Sequence, residues 1–512
     1  MTDVSRRRST LFNLIGSVLN TLILSIQGVV LIPLYLHELG PRLFGAWLAA
    51  AELLLWMQVL DVGIQSLMIQ RIGEAHGKRD FLAVGAHFAT GSAMLAMVAA
   101  LATGLGLAVS FPLPGWLGLS GDDATQLRDC FQAGIAATAC IILSNSAAWL
   151  AKGTQSTALM NISIVLASLV GLAFTVGLML TGWGLWSISL GIVARAVVSI
   201  VLNAAFAAYA CRNGMCRQPR VRRDLFQDYL RLFPLSACGG IGFGMMNQSE
   251  AFLVGVLLSP ELAPILALTR KGAEIVRSCV EIIGSGSYGS FAHLVASPQR
   301  SRALQVHAEI TGLWVSLALA GAITYMTINS SLISVWVDST YYGGNLLTVL
   351  IAVQLIVGGC AFLQNLLYRA SGQVYGSVIA IVVECIVRLP LMIGLLLCFG
   401  LPGLPLAAII TSLVAGIIVY RLTLRRVSAF ALPIQRDALP VQVTRAVLFL
   451  AGMFACVLVV QPSWSFVLVM AGVVSLGTSL VLVYTDPVLG QIRAPVTRMF
   501  LRLRGIRQQK NA

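Results

Sequence analysis

Fourteen apolar runs, each long enough to cross a bilayer, follow one another between residues 11 and 485. A transmembrane helix needs about 20 predominantly apolar residues. The runs fall near 11–36, 44–68, 83–110, 131–150, 158–180, 183–210, 232–258, 263–297, 308–335, 345–368, 375–399, 403–420, 442–461 and 464–485. Such a succession leaves little room for any fold except a bundle of membrane helices. Composition agrees. The chain is 58% hydrophobic and 11% charged, with a mean hydropathy of +0.87, whereas a soluble domain carries about 25% charged residues. The expectation is an all-α, polytopic membrane protein of about fourteen transmembrane helices.

Charges between the runs give an independent check, because cytoplasmic loops concentrate Lys and Arg. With a cytoplasmic N-terminus, one side holds Arg6 to Arg8, Arg71, Lys78, Arg79, Lys152, the runs Arg212 to Arg231 and Arg421 to Arg445, Arg300, Arg302, Arg369 and the tail from Arg493 to Lys510. The other side holds Arg42 and Arg128. The pattern predicts a multi-pass protein of the plasma (inner) membrane with both termini cytoplasmic. The net charge of +14 is then topology and contact with anionic membrane lipids, not a nucleic-acid footprint. Arg6-Arg7-Arg8 before an apolar run resembles an export signal, but the run is long and lacks a small-x-small cleavage site. It reads as a retained first helix.

Six runs, a basic segment and six more runs suggest an internal duplication. Glu38-Leu39-Gly40-Pro41 after run one recurs as Glu261-Leu262-Ala263-Pro264 after run seven. The expected plan is a six-helix lobe over 1–210, a basic cytoplasmic linker over 211–231, a second six-helix lobe over 232–425, an added helix pair over 426–486 and a basic tail over 487–512. Repeats of this kind hold substrate near the bilayer midplane.

Charge inside the runs is the functional signal. Run eight carries Arg270, Lys271, Glu274, Arg277 and Glu281. Arg270, Glu274, Arg277 and Glu281 are spaced i, i+4, i+7, i+11 and share one helical face. A charge at mid-bilayer costs roughly 2.5–3.5 kcal/mol, so this stripe faces protein or water. Two readings stand: the cations bind substrate, or Arg270 with Glu274 and Arg277 with Glu281 neutralise each other as i, i+4 pairs. Glu384 and Arg388 form a similar pair before Pro390. Arg195 is alone on its helix and pairs with Asp61 or Glu52 or meets substrate. Substrate-binding candidates are thus Arg270, Lys271, Arg277, Arg195 and Arg388. Candidates for ion coupling or gating are Asp61, Glu250, Glu274, Glu281 and Glu384, because proton relays use buried acids.

No catalytic or metal-binding constellation stands out, and no cofactor is implied. The ten cysteines and five histidines show no ligand spacing. Gly284-Ser285-Gly286-Ser287-Tyr288-Gly289 fits G-x-G-x-x-G but lies inside a run with no preceding strand. Close helix packing explains it better. Non-cytoplasmic loops are short, the longest at about 111–129, which disfavours an extracytoplasmic enzyme.

The stretch PLYLHELGPRLFGAW at 33–47, followed by LDVGIQ at 60–65, resembles the start of polysaccharide (O-antigen-type) flippases. These belong to the multidrug/oligosaccharidyl-lipid/polysaccharide exporter superfamily. The matching positions are Pro33, Gly40, Phe44, Gly45, Trp47, Asp61 and Gly63, and the fourteen-run plan resembles the family over nearly the whole chain. The resemblance implies a two-lobed, V-shaped transporter, not an enzyme. It would flip a polyprenyl-pyrophosphate-linked oligosaccharide from the cytoplasmic to the outer leaflet in polysaccharide or lipopolysaccharide biosynthesis. Other polysaccharide-assembly proteins are implied as partners. It also implies that Arg270, Lys271 and Arg277 hold the pyrophosphate, a task suited to the guanidinium fork. Some relatives carry Arg in span one, where this chain has none. Two alternatives are an ion-coupled small-molecule or drug antiporter of the same superfamily, using Glu250 or Asp61, and a membrane enzyme that polymerises or ligates lipid-linked glycans.

Overall fold

The computed structural model describes residues 3–296, 300–427, 439–458 and 462–485. The expected basic tail and residues 428–438 lie outside them. Among the described residues there are sixteen α-helices, a short 3-10 turn (Ser339–Tyr341) and no strand. In chain order the helices are α1 (Asp3–Val59), α2 (Val62–Gly77), α3 (Phe81–Ser110), α4 (Leu113–Trp116), α5 (Gly121–Gly153), α6 (Thr157–Leu180), α7 (Trp186–Arg212), α8 (Arg223–Asn247), α9 (Glu250–Leu257), α10 (Leu262–Ala296), α11 (Arg300–Trp336), α12 (Asn345–Ala370), α13 (Val374–Phe399), α14 (Gly403–Val427), α15 (Leu439–Leu458) and α16 (Trp464–Thr485).

Each expected run falls on helix, but not every helix passes as a simple span. Ten among the described residues are long and apolar enough to cross a membrane. Runs one and two count once, as Gln27–Gly77, because only Gly40 separates them. Its φ of 72° and ψ of 165° break the helix in a region that only glycine visits readily, and Pro41 restarts it. Run seven is divided between α8 and α9, and run eight carries its charged stripe. Run thirteen keeps only a shorter apolar stretch, Thr444–Cys456.

Contacts divide the chain into two compact units, Met1–Pro264 and Ile265–Ala512. In lipid, an apolar helix surface gains little by meeting another. Association therefore depends on close packing of small residues and on hydrogen bonds. In the first unit α7 packs on α5 and α6, α1 on α5, α6 and α9, and α8 on α2 and α3. Gly45 explains the Phe-Gly-x-Trp motif. A Cβ there would sit 1.8 Å from the Pro260 carbonyl oxygen, while Phe44 and Trp47 are buried on either side. The turn before α10 thus lies directly on α1.

The basic segment 211–231, expected as a linker between lobes, lies within this first unit. The Arg217 amide donates to the Phe81 carbonyl at 2.9 Å. The Arg222 amide donates to Thr90 Oγ1 at 3.1 Å. The segment therefore runs along two turns of α3.

The second unit packs α12 and α13 on α14, and α11 on α12, α15 and α16. Its core includes the buried Trp314, Phe291, Leu363 and Leu367.

Candidate functional site

Two helix breaks meet in the first unit. One lies between α1 and α2, at Leu60 and Asp61; the other lies between α8 and α9, at Gln248 and Ser249. A break frees backbone groups that hydrocarbon cannot satisfy, so it survives only where protein or water supplies partners. Side chains supply them here. Trp56 Nε1 donates to the Gln248 carbonyl at 2.7 Å. The Phe252 amide, near the start of α9, donates to Glu52 Oε2 at 2.8 Å. Ser249 Oγ turns back to the Met245 carbonyl. At the other break, Asn145 Nδ2 donates to Asp61 Oδ2 at 2.8 Å. Glu52, Asp61 and Glu250 are all buried. Glu250 opens α9, where the helix dipole favours negative charge.

An apolar cavity of ≈ 240 Å³ adjoins both breaks, lined by Leu53, Trp56, Met57, Leu60, Phe131 and Ile241 among others. With its N–H spent on Gln248, Trp56 can offer the cavity only its apolar ring.

In the second unit, α10 displays the expected charged stripe. Arg270 Nε lies 2.7 Å from Glu274 Oε1, and Lys271 Nζ lies 3.2 Å from Glu274 Oε2. Arg277 Nε lies 2.6 Å from Glu281 Oε1. Arg270 and Lys271 share Glu274, and Arg277 has Glu281. These side chains are 23–39% exposed, so the stripe is neither sealed in the core nor free in solvent.

The rest of α10 is anchored beside it. The Thr269 carbonyl accepts Tyr325 OH at 2.7 Å and Asn329 Nδ2 at 3.1 Å. Thr269 Oγ1 accepts the Gly343 amide at 2.9 Å. Asn329 Nδ2 also reaches Thr348 Oγ1 at 3.1 Å. This buried network fixes the backbone directly ahead of Arg270. Farther along, a Cβ on Gly284 would lie 3.2 Å from Leu363 and Leu366, so the glycine-rich stretch begins at a helix-packing contact.

Arg388 is placed differently from the α10 cations. It is 6% exposed. Its Nε donates to Thr411 Oγ1 at 2.9 Å and its Nη2 to the Ala408 carbonyl at 3.1 Å. Ser412 Oγ also accepts from it, and Glu384 Oε1 lies 3.1 Å away. Ser412 Oγ in turn donates to Glu384 at 2.8 Å. This is a clamp between α13 and α14, placed just ahead of Pro390 in α13.

Among the described residues no ion pair joins Arg195 to Asp61 or Glu52, one of its two expected readings. Asp61 is bound to Asn145 and Glu52 caps α9. Among the described residues, no hydrogen bond or ion pair holds the Arg195 guanidinium. No group of His, Cys, Asp and Glu able to hold a metal occurs among those residues.

The capping roles of Glu52 and Trp56 escape sequence reasoning. Their partners lie 200 and 192 positions away, and no local motif announces them. The signal available is an acid and an indole inside an apolar run.

No family model matches the chain, and no curated protein matches it. Solved structures do. A lipid II flippase, MurJ, in an inward closed conformation is similar with a TM-score of 0.66 at 12% identity, covering 92% of this chain and 99% of that one. An inward-facing multidrug resistance transporter of the MATE family and MOP superfamily gives 0.59 at 15% identity, covering 80% and 95%. A MOP superfamily transporter from Pyrococcus furiosus, described as having a binding pocket of reversed polarity that suggests a different function, gives 0.54 at 15%, covering 83% and 96%. The chain therefore has the polytopic fold of these membrane transporters.

Proposed function

We propose that this chain is a membrane transporter that flips a polyprenyl-pyrophosphate-linked oligosaccharide from the cytoplasmic to the outer leaflet. The observation that carries the reading is the partly exposed α10 face, with three cations on a largely apolar helix. Such a face suits an anionic head group, and Arg supplies a planar fork for phosphate oxygens. The similarity to a lipid II flippase over most of both chains supports a lipid-linked cargo. In this reading Arg277 and Arg270 exchange part of their carboxylate contact for pyrophosphate, and Lys271 adds a mobile point charge. The inner-membrane location, cytoplasmic termini, duplicated lobes and role in polysaccharide assembly belong to the same proposal.

The test is a deletion strain whose lipids are extracted and probed for leaflet accessibility. Build-up of lipid-linked glycan on the cytoplasmic side is expected, reversed by the wild-type gene but not by Arg277→Ala made at normal protein level. Arg277→Lys restores export in part, because Lys lacks the fork. Normal export by the Ala variant sinks the site, and unchanged lipid-linked glycan sinks the cargo.

A second reading, an ion-coupled small-molecule antiporter, draws on a different observation: buried Asp61 and Glu250 at helix breaks, with drug transporters among the similar structures. A drug-sensitivity panel on the deletion strain separates it. Hypersensitivity with normal lipid-linked glycan favours the antiporter.

A further inference from the structure

The apolar cavity beside the two breaks has a shape set by helical spacing. Its wall on α1 is Leu53, Trp56, Met57 and Leu60, spaced i, i+3, i+4 and i+7. Its wall on α3 is Ala102, Leu105, Gly106 and Val109, with the same spacing. Each set is one face of a helix, and seven residues of helix rise about 10 Å. The cavity is therefore a slot that runs along the helices, not a round hollow. Two glycine contacts seal its sides. A Cβ on Gly244 of α8 would lie 2.8 Å from Val59, and one on Gly106 would lie 3.1 Å from Ile135 of α5.

The mouth is at Leu105. This residue lines the slot yet is 58% exposed, whereas Ala102, one turn deeper, is buried. Met97, Leu101 and Leu105 lie four residues apart and are all exposed, so they form one outward stripe. α3 carries no Asp, Glu, Lys or Arg and is long and apolar enough to cross a membrane. An uncharged outward stripe on such a helix meets lipid chains, and the slot opens among them.

Water has nothing to hold inside. Among the described lining residues, the Trp56 indole N–H is the one side-chain nitrogen or oxygen group, and it is already given to the Gln248 carbonyl. A buried water normally makes about three hydrogen bonds. An empty slot, in turn, forfeits dispersion contacts along its whole lining. The molecules present in excess at the mouth are membrane lipids.

We propose that the slot is a binding site for one acyl chain of a resident membrane phospholipid. Its length along the helices suits the end of a straight chain, and the bulk lipid at Leu105 supplies that chain. The site is independent of what the transporter carries. Its position has a consequence for the fold. Leu60 belongs to one break, and Met245 lies three residues before Gln248 at the other. A chain end in the slot packs beside both, so bilayer lipid becomes part of the wall that supports them.

Full-length protein in phosphatidylcholine nanodiscs tests this, with a trace of phosphatidylcholine carrying a diazirine near the end of one acyl chain. After illumination, peptide mass spectrometry locates the labelled residues. Labelling is expected at Met57, Phe131 and Met245 inside the slot, besides ordinary labelling of the exposed Phe174 and Leu180 of α6. Two variants narrow the slot, Leu105→Trp at the mouth and Ala102→Leu inside. Overpacking a filled site weakens occupancy about tenfold, so slot labelling falls by that factor while α6 labelling stays. Leu105→Trp changes an exposed position and keeps the wild-type melting temperature, so it carries the test if Ala102→Leu fails to fold. Slot labelling that is absent, or equal in wild type and the folded variants, overturns the proposal. So does slot labelling by a diazirine polyprenol with none by the acyl probe, which makes the slot a site for isoprenoid lipid. Labelling by a compact adamantyl diazirine that excess phosphatidylcholine does not reduce also overturns it, and makes the slot a small-molecule pocket.

Discussion

Glu52 Oε2 accepts the backbone amide of Phe252 at 2.8 Å, across 200 positions of sequence. A carboxylate on one broken helix thereby caps the N-terminus of a segment of another. Replacing Glu52 by Ala strands that amide in a buried setting, which costs about 1–3 kcal/mol. Glu52→Gln keeps an acceptor and loses less. Thermal unfolding in detergent should therefore rank wild type above Gln above Ala. Equal melting of all three variants would refute the cap.

Gly45 and Gly40 are five residues apart but fail for different reasons. A side chain on Gly45 meets the Pro260 carbonyl, whereas Gly40 has open space and a φ of 72°. Gly45→Ala is expected to destabilise by about 1–3 kcal/mol through overpacking, and Pro260 should shift with it. Gly40→Ala strains the backbone locally and should leave the Pro260 contact intact. Cysteine crosslinking between α1 and the α9–α10 turn reads the difference.

Arg388 should behave as a structural residue, in contrast to Arg277. Arg388→Ala leaves Glu384, Thr411 and Ser412 without their shared partner. Breaking such a buried pair costs about 3–5 kcal/mol. Protein level in the membrane falls, and Glu384→Gln in the same chain restores part of it. An Arg388→Ala protein made normally but inactive in transport would return Arg388 to the substrate path.

Asp338, in the turn after α11, caps its own turn. Its carboxylate accepts the Thr340 amide at 2.8 Å, and this backbone bond holds its pKa below the usual carboxylate value. A depressed folded-state pKa gives stability that is present above the ordinary value near 3.9. That stability is lost as pH falls through the folded value. Asp338→Asn should therefore flatten the acid limb of the stability curve, lowering stability at neutral pH and leaving it little changed below the folded-state pKa.

Much of this molecule is legible from its letters. Hydrophobic run length places the long apolar helices, because a membrane span is a local property, but it misses the short α4 and the division of run seven into α8 and α9. The α10 stripe is equally visible, since i, i+4 spacing needs no knowledge of the fold. The breaks at Leu60–Asp61 and Gln248–Ser249 are not legible. No proline occupies either position, and the side chains that meet the backbone at the second break, Trp56 and Glu52, arrive from another helix. The same long-range logic hides the Arg388 clamp, whose Thr411 and Ser412 partners read as ordinary small polar residues of an apolar run. Conversely, Arg195 looks ready to pair with Asp61 or Glu52, until the structure shows both acids committed elsewhere.

The Glu52–Phe252 bond also sets an order of events during synthesis. Residues emerge at about 5–20 per second, so α9 follows Glu52 into the membrane only after roughly 10–40 s at that rate. Until then this carboxylate lacks the amide it will finally cap, and Trp56 lacks the Gln248 carbonyl. The first six apolar runs must be tolerated by the insertion machinery in an unfinished state, and α8 and α9 are the last pieces to close it.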